Sequence, residues 1–296
     1  MLEDELKAKL LEMMEWFHHF CVVNGLNYYV LGGTMLGALR HKGFIPWDDD
    51  IDVGMPRKDY DRMCRLFTPE TDPYYFLETP LSKAKDYNYC FCKLYDTRTT
   101  LIENTRYKTK RGIFIDIFPL DGMGDTEWES RLHFMFIDYR FKLILSRTTG
   151  IRKGRNVFKN VMVHTMQMVP SILMNDKKAI EEVNDLCRSK DFDEVMFGGN
   201  PFGAWRYREI MPRAVMGKPT LYQFENIEVY GAENPEIYLT NLYGDWAKLP
   251  PIEKRISHHD FIDIDLNRSY LEYSIQGLMI TPPLENQRNH HSTITQ

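Results

Sequence analysis

The sequence predicts an α+β fold, because short strand patterns and a long helical region follow one another along the chain. Apolar residues recur every three or four positions over residues 2–24, which is the period of an amphipathic helix. Short apolar runs follow at residues 28–31, 50–55 and 112–118, and each has the length of a strand. Residues 126–190 carry helical patterns instead. We therefore expect a sheet flanked by helices, with a helical insertion and a small C-terminal lobe.

The first strand leads into a glycine turn. The first helix is expected to end at Gly25, which suits a C-terminal cap. The strand at residues 28–31 then runs into Gly32–Gly33, and Thr34 is expected to cap a helix over residues 35–40. Backbone N–H groups at such a helix start attract phosphate, whereas an ordinary tight turn is the alternative interpretation.

The second and third strands each carry acidic residues. The strand at residues 50–55 ends at Pro56, whose fixed φ suits the first turn of a following helix. In the strand at residues 112–118, isoleucines alternate with other residues, so Asp116 lies on the opposite face. Pro119 is expected to end this strand, since proline lacks an N–H group.

The helical region begins with a capping box, in which Thr126 and Glu129 satisfy each other's backbone N–H groups. Further helices are expected from residue 156 and over residues 176–190, and a short strand is expected at residues 227–230. We predict four regions, which are a catalytic core at 1–124, a basic helical insertion at 125–192, a C-terminal lobe completing the core at 193–283, and a flexible tail at 284–296.

Composition excludes several classes of protein. The 296 residues carry a net charge of −5, which argues against nucleic acid as a partner. Five scattered cysteines are typical of free thiols in a reducing compartment. The acidic N-terminus lacks the pattern of an export signal, and the uncharged stretch at 161–175 is too short to span a bilayer. We therefore expect a cytoplasmic protein without a transmembrane helix.

Positive charge is concentrated in residues 131–160, where eight basic residues accompany one acidic residue and give a net charge of +7. A solvated helical surface is one interpretation. The other is peripheral contact with anionic lipid at the inner membrane face, because basic residues are attracted to anionic headgroups. The uncharged, methionine-rich stretch at 161–174 would suit shallow insertion beside it.

Two carboxylates at alternate strand positions, Asp50 and Asp52, are the strongest chemical signal in the residues. Side chains two apart on a strand share a face, and carboxylates so placed repel unless a cation lies between them. Mg²⁺ prefers such oxygen ligands together with substrate phosphates. Asp116 could complete the set, and a second ion would suit displacement at phosphorus. A solvated acidic turn at 48–50 is the alternative.

The stretch YVLGGTMLGALRHKGFIPWDDDIDVGMPR at residues 29–57 strongly resembles the LicD family, which is related to fukutin and the fukutin-related protein. Three further blocks are similar to the family's conserved segments. They are KLYD at 93–96 with Thr97, Thr100 and Glu103, GIFIDIFPLD at 112–121, and LYGDW at 242–246 with LPP at 249–251 and His258. The resemblance covers roughly residues 1–260.

The resemblance implies a nucleotidyltransferase-like mixed β-sheet with a metal-binding Asp-x-Asp pair and a third acidic residue, here Asp116. Bacterial members resemble enzymes that move phosphocholine from CDP-choline to a sugar hydroxyl of teichoic acid or another cell-surface glycan precursor and release CMP. The acceptor is then a lipid-linked or nascent glycan. The alternatives are a nucleotidyltransferase proper, another CDP-alcohol phosphotransferase acting with ribitol phosphate or phosphoethanolamine, and a catalytically silent module.

In this interpretation Asp50, Asp52 and Asp116 hold one or two Mg²⁺ ions, with Mn²⁺ as a possible substitute. Lys93, or less favourably Arg40, neutralises charge on the departing CMP. A second set of residues is expected to bind substrate, namely Gly32, Gly33, Thr34, Arg40, Trp47, Asp245 and His258.

The roles of five residues stay open at this stage. Asp116 and His258 are both candidates for the general base, and His258 also suits a structural hydrogen bond. Trp47 and Trp246 could each face a choline ammonium or fill the core. Asp245 could cap a helix or reach the substrate.

Overall fold

A mixed seven-stranded sheet forms the centre of the computed structural model, which describes residues 2–105, 107–148, 156–168, 175–255 and 261–272. The strands are β1 (Tyr29–Val30), β2 (Asp52–Pro56), β3 (Tyr75–Glu78), β4 (Cys92–Asp96), β5 (Thr100–Glu103), β6 (Lys110–Arg111), β7 (Phe114–Gly124), β8 (Phe197–Gly199), β9 (Ile210–Pro212), β10 (Thr220–Phe224), β11 (Ile227–Gly231) and β12 (Phe261–Asp265). The helices are α1 (Leu2–Asn24), α2 (Gly32–Arg40), α3 (Arg57–Leu66), α4 (Glu127–Thr148), α5 (Val157–Met168), α6 (Asp176–Arg188) and α7 (Pro235–Tyr243). The α+β class is therefore confirmed.

The order in the central sheet is β1-β2-β7-β4-β3, with β8 and β9 continuing from β7. Only β2 and β7 run parallel among these pairs, and the others are antiparallel. A small sheet of β12, β5 and β6 and a β10–β11 hairpin lie beside it. The chain between parallel β2 and β7 forms α3 and the strands β3 to β6. Strands β2 and β7, which carry Asp52 and Asp116, are neighbours in the sheet although they are far apart in sequence.

Strand β7 organises the core. Helices α1, α3, α4 and α6 all contact it. The isoleucines at 113, 115 and 117 are fully buried, as their alternation predicts, but Phe114 and Phe118 on the other face are buried as well. Both faces of β7 are thus covered, and Asp116 keeps partial access to solvent.

The expectation that Pro119 ends this strand is wrong, since β7 continues to Gly124. The N–H of Asp116 points toward β2, where it donates to the carbonyl of Ile51. Alternation along the strand then turns the nitrogen of Pro119 to the other side, where pairing with β4 has already stopped at Ile117. The missing N–H of proline therefore costs no ladder hydrogen bond.

The predicted helices are confirmed, including the capping box that begins α4. Thr126 Oγ1 accepts from the N–H of Glu129 at 3.2 Å, and Glu129 Oε2 accepts from the N–H of Thr126 at 3.2 Å. All five cysteines are free thiols. In the described residues, no helix has both the length and the apolar character needed to cross a bilayer.

The C-terminal part of the chain joins the central sheet directly, because β8 pairs with residues Asp121 to Gly124 of β7. A buried ion pair lies at the same place, where Arg57 Nη2 stands 2.7 Å from Asp121 Oδ2. Arg57 Nη1 also donates to Asn184 on α6. The predicted region boundaries stay predictions, and the tail at 284–296 lies outside the described residues.

Candidate active site

The glycine turn after β1 differs from its predicted form in one respect. Helix α2 begins at Gly32, which adopts φ +49°, and Leu31 stands at the cap position without a side-chain cap. The prediction that Thr34 caps the helix is wrong, because Gly32 can turn the chain into the helix two residues earlier. Thr34 is buried, and its Oγ1 accepts the N–H of Asp52 at 3.0 Å. This hydrogen bond ties the start of α2 to the start of β2.

Gly33 permits close approach to the first turn of α2. A Cβ at Gly33 would lie 2.6 Å from Oδ2 of Asp48, so only glycine leaves room for this carboxylate. The N–H of Gly32 donates to the hydroxyl of Tyr238 at 2.9 Å. An acidic loop and a C-terminal helix therefore meet at the positive end of α2, where a phosphate binds favourably.

Three chemically active side chains lie in one row across the sheet. Asp52 and Asp116 are register partners on parallel β2 and β7, and Lys93 on β4 is opposite Asp116. The strand that was expected to include Asp50 starts at Asp52 instead, so Asp50 lies in the preceding loop. The register places Asp116 beside Asp52, as the predicted set of three carboxylates requires. The expectation that Asp50 and Asp52 share one face of a strand is wrong, because β2 does not include Asp50.

The loop before β2 gathers carboxylates closely. In the described part of the chain, one group of three acidic residues has oxygen atoms that all lie within 4.8 Å of one another, and it consists of Asp48, Asp49 and Asp50. All three are half-buried. Asp50 belongs to this group, while Asp52 and Asp116 lie beside it on the sheet. The donor set of this loop suits a hard divalent cation.

Burial and like charge act together on these acids. Burial raises the pKa of Asp52 well above its ordinary value, and the charges of Asp50, Asp116 and Asp48 raise it further. The pKa of Asp116 is also raised by burial, against the opposing effect of Lys93. A bound cation would reverse this repulsion, since opposite charge favours the ionised form. The carboxylate cluster consequently fits the predicted metal.

Lys93 is held by specific contacts. Its side chain is 3% exposed, and Nζ lies 2.8 Å from Asp116 Oδ1 and 3.7 Å from Glu103 Oε1. The ammonium also lies 3.3 Å from the centre of the Phe114 ring and 4.6 Å from that of Tyr89. Lys93 therefore orients Asp116, and its predicted action on the departing CMP stays a prediction.

The C-terminal part of the chain approaches the site from the side of α2. Arg40 Nη1 donates to the carbonyl of Trp246 at 2.7 Å. The guanidinium of Arg255 lies 5.4 Å from the ring centre of Trp47, so a cation already covers one face of this ring. Asp245 is exposed in the turn after α7, where it caps no helix. His258 lies outside the described residues.

Sequence reasoning missed a cluster near Gly32. The rings of Trp205 and Tyr243 are nearly perpendicular with centres 4.9 Å apart, and a Cβ at Gly32 would lie 3.7 Å from the hydroxyl of Tyr243. Glu209 is buried beneath them, and burial raises its pKa to about 7. The negative charge of Glu209 also raises the pKa of Tyr243 and of Asp52. Tyr243 lies in the LYGDW block, but no local pattern marks Trp205 or Glu209.

Comparisons with known proteins agree with this geometry. Residues 25–147 match the family model described as LicD/FKTN/FKRP, nucleotidyltransferase domain. The chain is 30% identical over 257 residues to the lipopolysaccharide cholinephosphotransferase LicD of Haemophilus influenzae, which covers 86% of this chain and 95% of the relative. It is also 27% identical over 134 residues to mannosyltransferase regulator 4 of Saccharomyces cerevisiae, across 44% of this chain and 11% of the relative.

A short stretch is shared with a human protein. Over 35 residues the chain is 49% identical to the human ribitol 5-phosphate transferase FKRP, which is 12% of this chain and 7% of the relative. The residues that match the family model include the glycine turn, the acidic loop and strands β2, β4 and β7. The chain therefore belongs to the LicD family.

Proposed function

We propose that this protein transfers phosphocholine from CDP-choline to a sugar hydroxyl of a cell-surface glycan precursor and releases CMP. The observation that carries the proposal is the row of Asp52, Asp116 and Lys93 in a chain that is similar to a lipopolysaccharide cholinephosphotransferase over most of its length. Lipopolysaccharide or teichoic acid precursors are the acceptors that we favour. Free thiols at all five cysteines support a cytoplasmic reaction.

The metal site in this proposal consists of Asp50, Asp52 and Asp116, with Asp48 and Asp49 beside them. Mg²⁺, or Mn²⁺ in its place, would neutralise the donor pyrophosphate and make CMP a better leaving group. The core sheet, which we propose to be nucleotidyltransferase-like, then holds these carboxylates side by side on β2, on β7 and in the loop before β2. The raised pKa of Asp52 supports the proposal, because its buried carboxylate is repelled by its neighbours.

Donor phosphate binds at the start of α2, where Gly33 lacks a side chain, the N–H of Gly32 is already held by Tyr238, and Thr34 holds the turn against β2. Arg40 tethers the far end of α2 to Trp246 and supplies positive charge on this side. Lys93 keeps Asp116 in place beside Asp52. We favour Asp116 as the acceptor of the sugar hydroxyl proton, and His258 is the alternative base.

The choline head group lies against Trp205 and Tyr243 in this proposal. Aromatic faces attract quaternary ammonium groups, and the two rings form adjacent walls of a corner. Glu209 adds negative charge below this corner. Trp47 is a weaker candidate because Arg255 covers one face of its ring, and the second tryptophan that was expected to line the cage, Trp246, packs partly buried against the core.

The test measures CMP release from CDP-choline, CDP-ethanolamine and CDP-ribitol, with Mg²⁺ and with a chelator. We expect CDP-choline to react fastest and the chelator to stop the reaction. The short similarity to a ribitol 5-phosphate transferase makes CDP-ribitol the second candidate donor. Preference for CDP-ribitol would overturn the choline assignment, and activity without divalent metal would overturn the metal site.

A label at the choline methyl groups separates transfer of phosphocholine from transfer of a nucleotide. Label that moves onto the glycan supports our proposal, whereas labelled phosphocholine in solution indicates a nucleotidyltransferase. Tyr243→Leu should raise the KM for CDP-choline about tenfold, and Tyr243→Phe should retain wild-type KM because it keeps the aromatic face. Equal effects of the two substitutions would contradict the head-group site.

A further inference from the structure

Helix α4 is apolar on two opposite faces. One face packs into the core against β7 and α6, through Phe134, Ile137, Phe141 and Ile144. The opposite face carries large apolar side chains at helical spacing that are 47–70% exposed, namely Trp128, Met135, Phe136 and Tyr139. A helix on the surface of a soluble protein normally has one apolar face, so the second face of α4 calls for an occupant.

Helix α5 extends this exposed apolar surface. It contacts α4, and Val163 is buried on its inner side. Its outer side presents four large apolar side chains that are each more than half exposed, namely Val157, Phe158, Val161 and Met162. Two neighbouring helices therefore expose apolar residues together, which single scattered side chains do not explain.

The charge around these helices identifies the kind of occupant. Segment 131–160 carries a net charge of +7 in a chain of −5. Arg147 is buried against Asp176, and the basic residues at 152, 153 and 155 lie outside the described residues. Arg131 and Lys142 pair with Glu127 and Asp138 on the same helix. Arg140 and Lys159 are exposed, and neither forms an ion pair with another residue that the structure describes.

A second copy that docks through the same surface is disfavoured as the occupant, since it would oppose one positive segment to another. Anionic lipid is complementary to both features, because its headgroups attract basic residues and its acyl boundary accepts apolar side chains. Trp128 and Tyr139 are also residue types that favour the membrane interface.

We propose that the outer surface of α4 and α5 docks the protein reversibly on an anionic membrane. The apolar side chains of the two helices enter the headgroup boundary, and Arg140 and Lys159 contact anionic headgroups. The docking surface is separate from the carboxylate cluster, and the contact does not depend on the proposed reaction. With docking, a lipid-linked acceptor would be held at the surface where the protein itself binds.

The test is co-sedimentation of the full chain with two kinds of vesicle. One consists of phosphatidylcholine alone, and in the other about one third of the lipid is anionic phosphatidylglycerol. We expect binding to the anionic vesicles only. Arg140→Gln with Lys159→Gln should weaken binding about 30-fold, since each basic residue contributes about 1 kcal/mol and every 1.4 kcal/mol is a factor of ten. Trp128→Ser, Phe136→Ser and Tyr139→Ser together should weaken it by about tenfold or more.

The matched control is Val22→Ser with Val23→Ser, which removes exposed apolar side chains from α1 and should leave binding unchanged. Circular dichroism confirms that each variant keeps its helices. Equal binding to neutral and anionic vesicles, or no binding to either, would overturn the proposal. So would a wild-type dimer in sedimentation equilibrium that the serine variant converts to monomer, because the surface would then belong to a second copy.

Discussion

The acidic cluster on β2 and β7 places charged side chains partly away from water, whereas the outer surface of α4 and α5 exposes apolar side chains to it. In the acidic cluster, Asp52 and Asp116 are half-buried although they repel each other. On α4, Trp128 and Tyr139 face water although the helix has a complete buried face on its other side. Folding alone favours neither arrangement, because each costs free energy in the isolated protein. The contrast indicates two ligands of different chemistry, a cation with phosphate at one place and a lipid surface at the other.

Asp52→Asn should have the largest effect and should separate function from stability. We expect CMP release to fall about a thousandfold, because the variant loses a metal ligand. The free energy of unfolding at pH 8 should rise at the same time, since an amide removes the repulsion that raises the pKa of Asp52. Urea unfolding and the CDP-choline assay on the same preparation measure both.

A matched control for this comparison is Asp185→Asn on α6, which removes one exposed carboxylate that pairs with Arg188. It should change both quantities little, because exposed ion pairs contribute at most about 1 kcal/mol. If Asp52→Asn instead lowered the free energy of unfolding and kept activity, the acidic cluster would serve the fold rather than the reaction.

Lys93→Met should destabilise the fold by about 3–5 kcal/mol, because it leaves Asp116 as a buried carboxylate without its cation. Adding Asp116→Asn should recover most of this stability, since the remaining pair is neutral. Activity should stay low in the double variant. A double-mutant cycle of urea unfolding measures the coupling, and independent effects of the two substitutions would show that the ion pair does not hold the site together.

Glu209 should make stability fall as pH rises. Its carboxyl pKa is raised from an ordinary 4.5 to about 7 in the folded protein, so the folded state holds a proton that the unfolded state loses between these values. The stability contribution is complete below pH 4.5 and is lost by pH 7, which amounts to about 3 kcal/mol. Glu209→Gln should reduce this pH dependence. The test measures the free energy of unfolding of both proteins in guanidinium at pH 5 and pH 8. An equal change of this free energy between the two pH values in both proteins would contradict the raised pKa of Glu209.

Local patterns predicted the parts of the fold that depend on neighbouring residues. The period of α1, the capping box of Thr126 and Glu129, and the alternation around Asp116 are all short-range signals, and each is confirmed. The residues suggested that Asp116 could complete the set, and the family resemblance implied the same, but no local pattern sets the register that pairs Asp52 with Asp116, 64 residues further along the chain.

The remaining features depend on contacts that sequence spacing does not encode. Pro119 is tolerated because β4 has ended at that point of the sheet, which only the three-dimensional register reveals. Thr34 bonds to Asp52 rather than to its own helix, because Gly32 starts the helix earlier. The charge of Glu209 acts on Asp52 from more than 150 residues away in the chain, and Trp205 contacts Tyr243, so the roles of both residues cannot be predicted before the chain is folded.

The pairing of β8 with the last residues of β7 sets a limit on how the protein can be shortened. A chain cut after residue 192 would keep the glycine turn, the acidic loop and the row of site residues. It would also leave Asp121 to Gly124 without a neighbouring strand. Unpaired edges of this kind recruit strands from other molecules, so the shortened chain is expected to aggregate during expression. We therefore expect the smallest soluble form of the protein to include β8 and β9, although neither strand carries a carboxylate of the acidic cluster.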